Sequence, residues 1–389
     1  MKLTEISLQY FPPKIIATCS SQNVTETFQF PIPRACTSAK EIFNYLISQN
    51  KLFSIYKKEA KHFAKQLAQQ NAKTSKFKLR KVYNNHVSPV VQIAISRQNK
   101  IVSIGQDCVL IITDLTVAGS ANTQLELDSR PLALAENGEQ IAVTHLSKYV
   151  KIYDFTAKFL FQTTTKSTPI GVYFNSSKDL FISCFDGSVF SFRNDQKLLV
   201  QKHQSSVLGC FQYSNHKYLT ASLDGTVLVA DIRVTRLNSA KIKAPDMSCA
   251  SACTSVACVG KSVICGFENG EWKADLQAGS SARNQENTRI RAVSLTVDGE
   301  MYAVADENGV KCNGKSLQIS GVTQLLFLNP SQHQKLIVAA EKLTIWNVEK
   351  DTKTEFACGN ISFIAASYDG STVAVGNYNG EIHILSDQN

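Results

Sequence analysis

From about residue 86 onward a short pattern returns roughly every 39 residues, and this periodicity limits the possible folds more than any other feature of the chain. Its clearest copies read CFDGSVFSFRN (184–194), SLDGTVLVADI (222–232), GFENGEWKADL (266–276) and GNYNGEIHILS (376–386). Each places a small or apolar run before Asp-Gly or Asn-Gly and an alternating run after it. Those dipeptides accept the positive φ angles of a two-residue hairpin turn, so each copy is expected to be a β-hairpin. Weaker copies, GQDCVLIITDL, LSKYVKIYDF, ADENGVKCNG and AAEKLTIWNV, complete the series. Aligned at the turn, the positions are Cys108, Lys148, Gly187, Gly225, Gly270, Gly309, Glu341 and Gly380, separated by 40, 39, 38, 45, 39, 32 and 39 residues. Ahead of each hairpin lies a further apolar run closed by a turn, as in VVQIAISRQNK, VLGCFQYSNHK and FIAASYDGS.

A period near 40 with four short strands per unit is the signature of a WD-repeat β-propeller. The expectation is therefore a mainly β chain with a propeller of eight blades, seven being the alternative, preceded by a small α+β amino-terminal domain. The Trp-Asp dipeptide itself is absent; its slot holds Thr113-Asp114, Tyr153-Asp154, Ala230-Asp231 and Trp346-Asn347. The Gly-His partner survives only as Asn85-His86 and Lys202-His203. His203, Ser222 and Asp224 are expected to form the buried hydrogen-bond relay that braces such a blade, with His86 in the matching slot of the first. The last unit ends after three strands, and FKLRKVY (residues 77–83) has the length of a fourth. Closing the ring with it removes open sheet edges, so the domains are expected at residues 1–76 and 77–389.

Residues 1–76 stand outside the repeat. MKLTEISLQY and TETFQFPIP have the composition of strands, with a double proline breaking the first run. SAKEIFNYL offers a capping box, Ser38 with Glu41, ahead of apolar Ile42, Phe43, Leu46 and Ile47. A second helix over residues 53–70 sets Tyr56, Ala60, Phe63 and Leu67 on one face and Lys57, Lys61 and Lys65 on another. Charge is just as uneven. Residues 1–84 hold 14 Lys+Arg against 4 Asp+Glu, whereas the remainder is near neutral at 27 against 28. The basic excess suits either a solvated face or an acidic partner.

Catalysis finds little support. The eleven cysteines are scattered singly and lack paired CxxC knuckles, which fits buried thiols rather than zinc ligands or disulfides. SVACVGKS (255–262) resembles a phosphate loop only at Gly260-Lys261-Ser262, in a strand-turn-strand context with no helix to receive a phosphate. The seven histidines show neither metal-ligand spacing nor a nucleophile motif. No enzyme activity, metal or cofactor is expected. With no apolar run of about 18 residues and no amino-terminal presequence pattern, a cytosolic location without a membrane span is expected. Nucleic acid is not an expected partner, because the basic residues lack interleaved aromatics for stacking.

The amino terminus carries a more specific likeness. Met1-Lys2-Leu3, then Leu8-x-Tyr10-Phe11-Pro12-Pro13-x-Ile15, resembles the start of the dynein assembly factor with WD repeats family, and Phe77, Lys81-Val82, His86 and Pro89 resemble that family's run into its first blade. The resemblance implies an outer-dynein-arm adaptor of intraflagellar transport. Such an adaptor links outer-arm dynein to a B-complex subunit through the amino-terminal domain and the neighbouring propeller surface, and works in cytoplasm, basal body and cilium or flagellum. It further implies that Tyr10, Phe11, Pro12 and Pro13 belong to the module building that surface. By charge, Lys57, Lys58, Lys61, Lys65, Arg80 and Lys81 suit an acidic, flexible segment of the transport subunit; a monomer is expected. The alternative is a general cytosolic WD-repeat scaffold for complex assembly or ubiquitin-ligase substrate recruitment, to which Ala230-Asp231-Ile232-Arg233 bears a partial likeness.

Overall fold

The repeat folds into eight four-stranded antiparallel sheets. The computed structural model describes residues 2–10, 13–21, 24–31, 39–49, 58, 61, 62, 64, 76–116, 122–175, 177–193, 196–214, 216–233, 242–243, 247–276, 281–286, 288–328 and 335–388. The chain divides into two compact units, Met1–Phe77 with Asn329–His333 and Asp387–Asn389, and Lys78–Leu328 with Gln334–Ser386.

In the larger unit, blades 1 to 7 span residues 90–126, 131–164, 169–202, 207–243, 253–285, 292–317 and 324–356. Blade 8 takes three strands from residues 361–388 and its fourth from Lys76–Asn84, which lies beside Glu381–Gln388. The first strand of each blade neighbours the first strand of the next, and that of blade 8 neighbours Val90–Ile95 of blade 1, so the sheets close into a propeller. Side chains clasp several of these inner seams. Gln92 donates to Leu134 O at 3.0 Å and accepts from Leu134 N at 2.9 Å, joining blades 1 and 2. Gln324 accepts from Ile364 N at 2.9 Å across blades 7 and 8.

The core lies between blades, which explains the nearly unbroken apolar second strands. Successive residues of a strand point to opposite faces. Ile101 therefore packs with Val90, Ile93, Ile382 and Ile384 toward blade 8, while Val102 and Ile104 pack with Leu134, Ile141 and Val143 toward blade 2. Ile141 and Val143 face back in turn, and Ala142 packs forward on Leu180 and Ile182 of blade 3. A strand buried on both faces has no polar alternate to show. Several cysteines occupy this core: burial pushes the Cys258 and Cys312 thiols up to about 12 and the Cys184 thiol to about 11.

The turns differ from expectation in one respect. The loops joining second and third strands have three residues rather than two in six blades, as between Leu180–Cys184 and Ser188–Arg193, and four in blades 4 and 6. Gly187 N donates to Cys184 O at 3.1 Å, closing a turn that ends in one left-handed residue, the three-residue hairpin with a bulge. Six aligned positions carry that conformation: Cys108, Lys148, Gly187, Gly225, Gly270 and Gly380, with φ of 60, 67, 85, 79, 83 and 87°. Blades 1 and 2 thus keep the glycine backbone without glycine, which is why their copies read weakly. The irregular spacings have local causes too. The last two strands of blade 6, Val310–Cys312 and Lys315–Leu317, are three residues each, shortening that unit.

In the smaller unit, Lys2–Tyr10, Pro13–Ser21 and Val24–Pro31 form an antiparallel three-stranded sheet in sequence order. The middle strand was not anticipated. The double proline marks a hairpin in which Leu8 faces Ile15 and Tyr10 faces Pro13; proline tolerates the first position of a strand because its missing N–H removes only an end bond. Helix Ala39–Gln49 buries Ile42 and Leu46, one turn apart, and exposes Lys40, Asn44 and Ser48. Ser38 of the expected capping box lies outside the described residues. Of the second expected helix, Lys58, Lys61, His62 and Ala64 are helical, and the rest of 53–70 lies outside the described residues.

Candidate protein-interaction site

Two histidines organise the outer end of their blades. In blade 1, buried His86 meets the Asp107 carboxylate through Nδ1 at 3.1 Å and Ser103 Oγ through Nε2 at 2.9 Å. A carboxylate only accepts, so Nδ1 carries the proton and Nε2 accepts from the Ser103 hydroxyl. Asp107 also receives Val87 N at 3.0 Å and Val109 N at 3.2 Å, tying the incoming loop to the turn. In blade 4, His203 places Nδ1 2.8 Å from Thr226 Oγ1 and 3.6 Å from Asp224 Oδ2, and Nε2 2.8 Å from Thr220 Oγ1. The Thr226 hydroxyl donates to Asp224, leaving its oxygen to accept from Nδ1–H. Burial lowers the pKa of both histidines below the usual 6.5, opposed only in part by Asp107 and Asp224, which favours the neutral imidazole at pH 7 and above.

Ser222 is not the relay hydroxyl. It donates to Ser205 O at 3.0 Å and accepts from Asp224 N at 3.1 Å, and Thr220 takes the place assigned to it. The reason is geometric. The hydroxyl that meets the histidine lies four positions before the aspartate, as Ser103 does relative to Asp107, whereas the residue two before it is the last of the strand, where Ser222 bonds the neighbouring Ser205 carbonyl and the turn amide of Asp224. Thr220 carried no sequence signal beyond that offset from Asp224.

The residues assigned to partner binding scatter between the two units. Tyr10 and Pro13 end and begin paired strands; Phe11, Pro12, Lys57 and Lys65 lie outside the described residues. Lys58 and Lys61 are exposed, with Lys61 Nζ 5.5 Å from the centre of the Phe43 ring. Arg80 and Lys81 are exposed on the closing strand. Arg80 Nε donates to Ser386 Oγ at 2.8 Å, and Lys81 Nζ sits 4.4 Å from the centre of the Tyr83 ring. Both line a cleft of about 370 Å³ at the seam between blades 8 and 1, together with Tyr83, Asn99, Leu115, Thr116, Thr372, Ile384 and Ser386. None of these lining residues is acidic, so the cleft brings two cations together with hydroxyl and apolar groups, although the Thr116 hydroxyl is already given to Asp114 at 2.6 Å. Carboxylates or phosphates fit such a lining.

The remaining motifs are occupied locally. Gly260 and Lys261 form the turn between strands Cys253–Val259 and Ser262–Phe267, with no helix behind them. Arg233 grips Asp231 in a two-point pair, Nε to Oδ1 at 3.0 Å and NH2 to Oδ2 at 2.6 Å, which holds the Asp231 carboxyl down to about 2. Among the described residues no group of three or more His, Cys, Asp or Glu is placed to hold a metal ion, and no helix is long and apolar enough to cross a membrane.

A row of exposed apolar residues was missed. The residue opening the turn between second and third strands is Leu146 in blade 2, Phe185 in blade 3, Leu223 in blade 4 and Tyr378 in blade 8, all exposed. The signal was visible as a bulky residue one position before the aligned Asp, Asn or Ser.

No family model matches the chain, and no curated protein matches it. Solved structures do. The computationally designed Ika8 protein superposes with a TM-score of 0.63 at 18% identity, covering 77% of this chain and 97% of its own. Sqt1 of Saccharomyces cerevisiae gives 0.63 at 13%, covering 80% and 99%, and the WD40 β-propeller domain of Doa1 gives 0.56 at 13%, covering 81% and 98%. At such identities the likeness is one of fold, and with the eight sheets and the relays it makes this chain an eight-bladed WD40-type β-propeller.

Proposed function

We propose that the chain is a non-enzymatic protein-interaction scaffold, and specifically an adaptor that links outer-arm dynein to the B complex of intraflagellar transport for import into cilia or flagella. The observation carrying the specific part is the seam cleft, which Arg80 and Lys81 line and which has no acidic lining residue among the described residues. They extend the basic excess of residues 1–84 onto the propeller. By charge that cleft suits an acidic, flexible segment of the transport subunit, and so, separately, do Lys57, Lys58, Lys61 and Lys65 of the amino-terminal module. The likeness of Met1–Leu3 and Leu8–Ile15, and of Phe77, Lys81-Val82, His86 and Pro89, to the dynein assembly factor family supports the same assignment.

Capture of the B-complex subunit by the full-length chain tests this. Arg80→Glu with Lys81→Glu, and separately Lys57→Glu with Lys61→Glu and Lys65→Glu, weaken capture, more at about 50 mM salt than at about 500 mM, because screening shortens from roughly 14 Å to 4 Å. Undiminished capture by both variants, or a tagged chain absent from basal bodies and flagella, removes the transport role and leaves the scaffold.

A further inference from the structure

The end of the ring that carries the turns between second and third strands has a surface of its own. At each of six blades the first turn residue donates its N–H to the carbonyl at the start of the innermost strand: Gln106 to Pro89 at 2.9 Å, Leu146 to Arg130 at 3.0 Å, Phe185 to Thr168 at 2.9 Å, Leu223 to Ser206 at 2.9 Å, Glu268 to Ala252 at 2.9 Å and Tyr378 to Asn360 at 2.9 Å. One repeated bond therefore fixes these side chains at equivalent places around one end of the propeller. Their chemistry is not evenly distributed. Leu146 is 53% exposed, Phe185 65%, Leu223 40% and Tyr378 55%, and Val87, in the loop into blade 1, is 90% exposed. Apolar side chains thus run across the consecutive blades 8, 1, 2, 3 and 4. On blades 5 and 6 the same place holds Glu268 and Glu307, each paired with an arginine, Arg289 at 2.9 Å and Arg291 at 2.7 Å.

Charge beside the apolar arc is one-sided. Around Leu146 and Phe185 the carboxylates are already matched, Asp128 by Lys151 and Asp186 by Lys202. Arg130, Lys148 and Lys166 are exposed and carry no ion-pair partner among the described residues. Backbone bonds hold them together: Leu146 N reaches Arg130 O, and Thr165 N, next to Lys166, reaches Lys148 O at 3.0 Å. Lys148 adopts a left-handed backbone conformation in its turn, with φ of 67°.

We propose that this end of the ring, over blades 2 to 4, docks an acidic segment of a partner protein that lays bulky apolar side chains against Leu146, Phe185 and Leu223 while its carboxylates meet Arg130, Lys148 and Lys166. Desolvated apolar anchors inside a charged rim are how small interfaces concentrate their affinity. A nucleic acid suits the surface less well, since Leu146, Leu223 and Val87 offer no rings for bases to stack on. The site is independent of the transport assignment. The seam cleft lies at the opposite end of the ring, where Asn99 and Thr116 flank the far ends of strands Lys100–Gly105 and Val109–Asp114.

Fluorescence anisotropy on the full chain tests it with three labelled peptides of about fifteen residues, a usual length for a groove-bound segment: glutamates interspersed with leucine and phenylalanine, the same with lysine for glutamate, and the same with serine for the apolar positions. The acidic apolar peptide is expected to bind about tenfold or more tightly than either control. Leu146→Ala with Phe185→Ala weakens it about tenfold at any salt, the loss that truncating interface anchors causes. Lys148→Glu with Lys166→Glu weakens it about tenfold at roughly 50 mM salt and much less at roughly 500 mM. Lys158→Glu, at the opposite end of blade 2, leaves binding unchanged. All these side chains are exposed, so thermal melting of each variant stays that of the parent. Equal binding of the three peptides, no binding below about 1 mM, an equal effect of Lys158→Glu, or tighter binding of a labelled single-stranded RNA that Phe185→Ala abolishes would each overturn the proposal. None of these outcomes bears on the seam cleft.

Discussion

Replacing Thr220 by valine separates hydrogen bonding from packing in the blade 4 relay. Thr220 is fully buried, and its hydroxyl is the donor to His203 Nε2 at 2.8 Å. Valine fills the same volume but removes the donor, leaving a buried imidazole nitrogen with nothing to accept. The lost bond is worth about 1 kcal/mol and the orphaned acceptor about 1–2 kcal/mol more, so Thr220→Val should cost about 2–3 kcal/mol. Thr220→Ser keeps the hydroxyl and gives up one buried methyl, about 1 kcal/mol. Equilibrium urea unfolding followed by tryptophan fluorescence reads both. With a slope of about 3 kcal/mol per molar, the midpoint falls by roughly 0.7–1 M for valine and by roughly 0.3 M for serine. In a His203→Ala background the valine substitution loses most of its cost, because no nitrogen remains to be orphaned. A view in which only packing matters predicts the opposite order. Should valine leave the midpoint unmoved while serine lowers it, the assigned tautomer and the relay itself are wrong.

Other expectations rest on separate observations. Gly187→Ala places a Cβ 2.3 Å from His203 O at a φ of 85°, so it should lower the melting temperature by several degrees; an unchanged melt contradicts the turn geometry. His86, His145 and His203 have pKa values lowered by burial from 6.5, so below that value the unfolded chain binds more protons than the folded one. Their contribution is complete above pH 6.5 and declines as pH falls toward the folded values, which urea midpoints at about pH 7.5 and 5.5 will show as a loss at the lower pH. Tyr83→Ala removes a buried ring packed on Ile93, Ile382 and Ile384, and should cost about 3–5 kcal/mol, with hydrogen exchange accelerating first in Glu381–Gln388.

Much of the fold was legible because its information is local. Asp and Asn before glycine recur because their carboxyl or amide oxygen caps the turn: Asp186 Oδ1 accepts from Ser188 N at 3.1 Å, Asn269 Oδ1 from Glu271 N at 3.0 Å, and Asp224 Oδ1 from Thr226 N at 2.8 Å. Such bonds involve residues two apart, so spacing alone exposes them, and eight units could be counted despite the missing Trp-Asp. The copies at Cys108 and Lys148 were faint because the backbone, not the side chain, is what they share with the others. The relay was legible only in part. His203 and Asp224 stood out by type, but Thr220 and Ser222 share one face of strand Lys217–Ser222, so choosing between them needs the distance from the turn at which the imidazole crosses the strand.

Periodicity, turn chemistry and charge asymmetry by themselves determined that this chain builds a repeating β architecture with a basic amino-terminal stretch, because each depends on neighbours along the chain; eight units was the count with seven the alternative, and the eight closed sheets decided it. Tertiary structure alone decided which side chains share a surface. Arg80 and Lys81 line one cleft with Thr372 and Ser386 only because the closing strand joins residues about 300 apart. Likewise Leu146, Phe185 and Leu223 are 39 and 38 residues apart in sequence and become neighbours only when their blades stand side by side. A binding surface on a propeller is assembled across blades, at right angles to the direction in which the sequence is read.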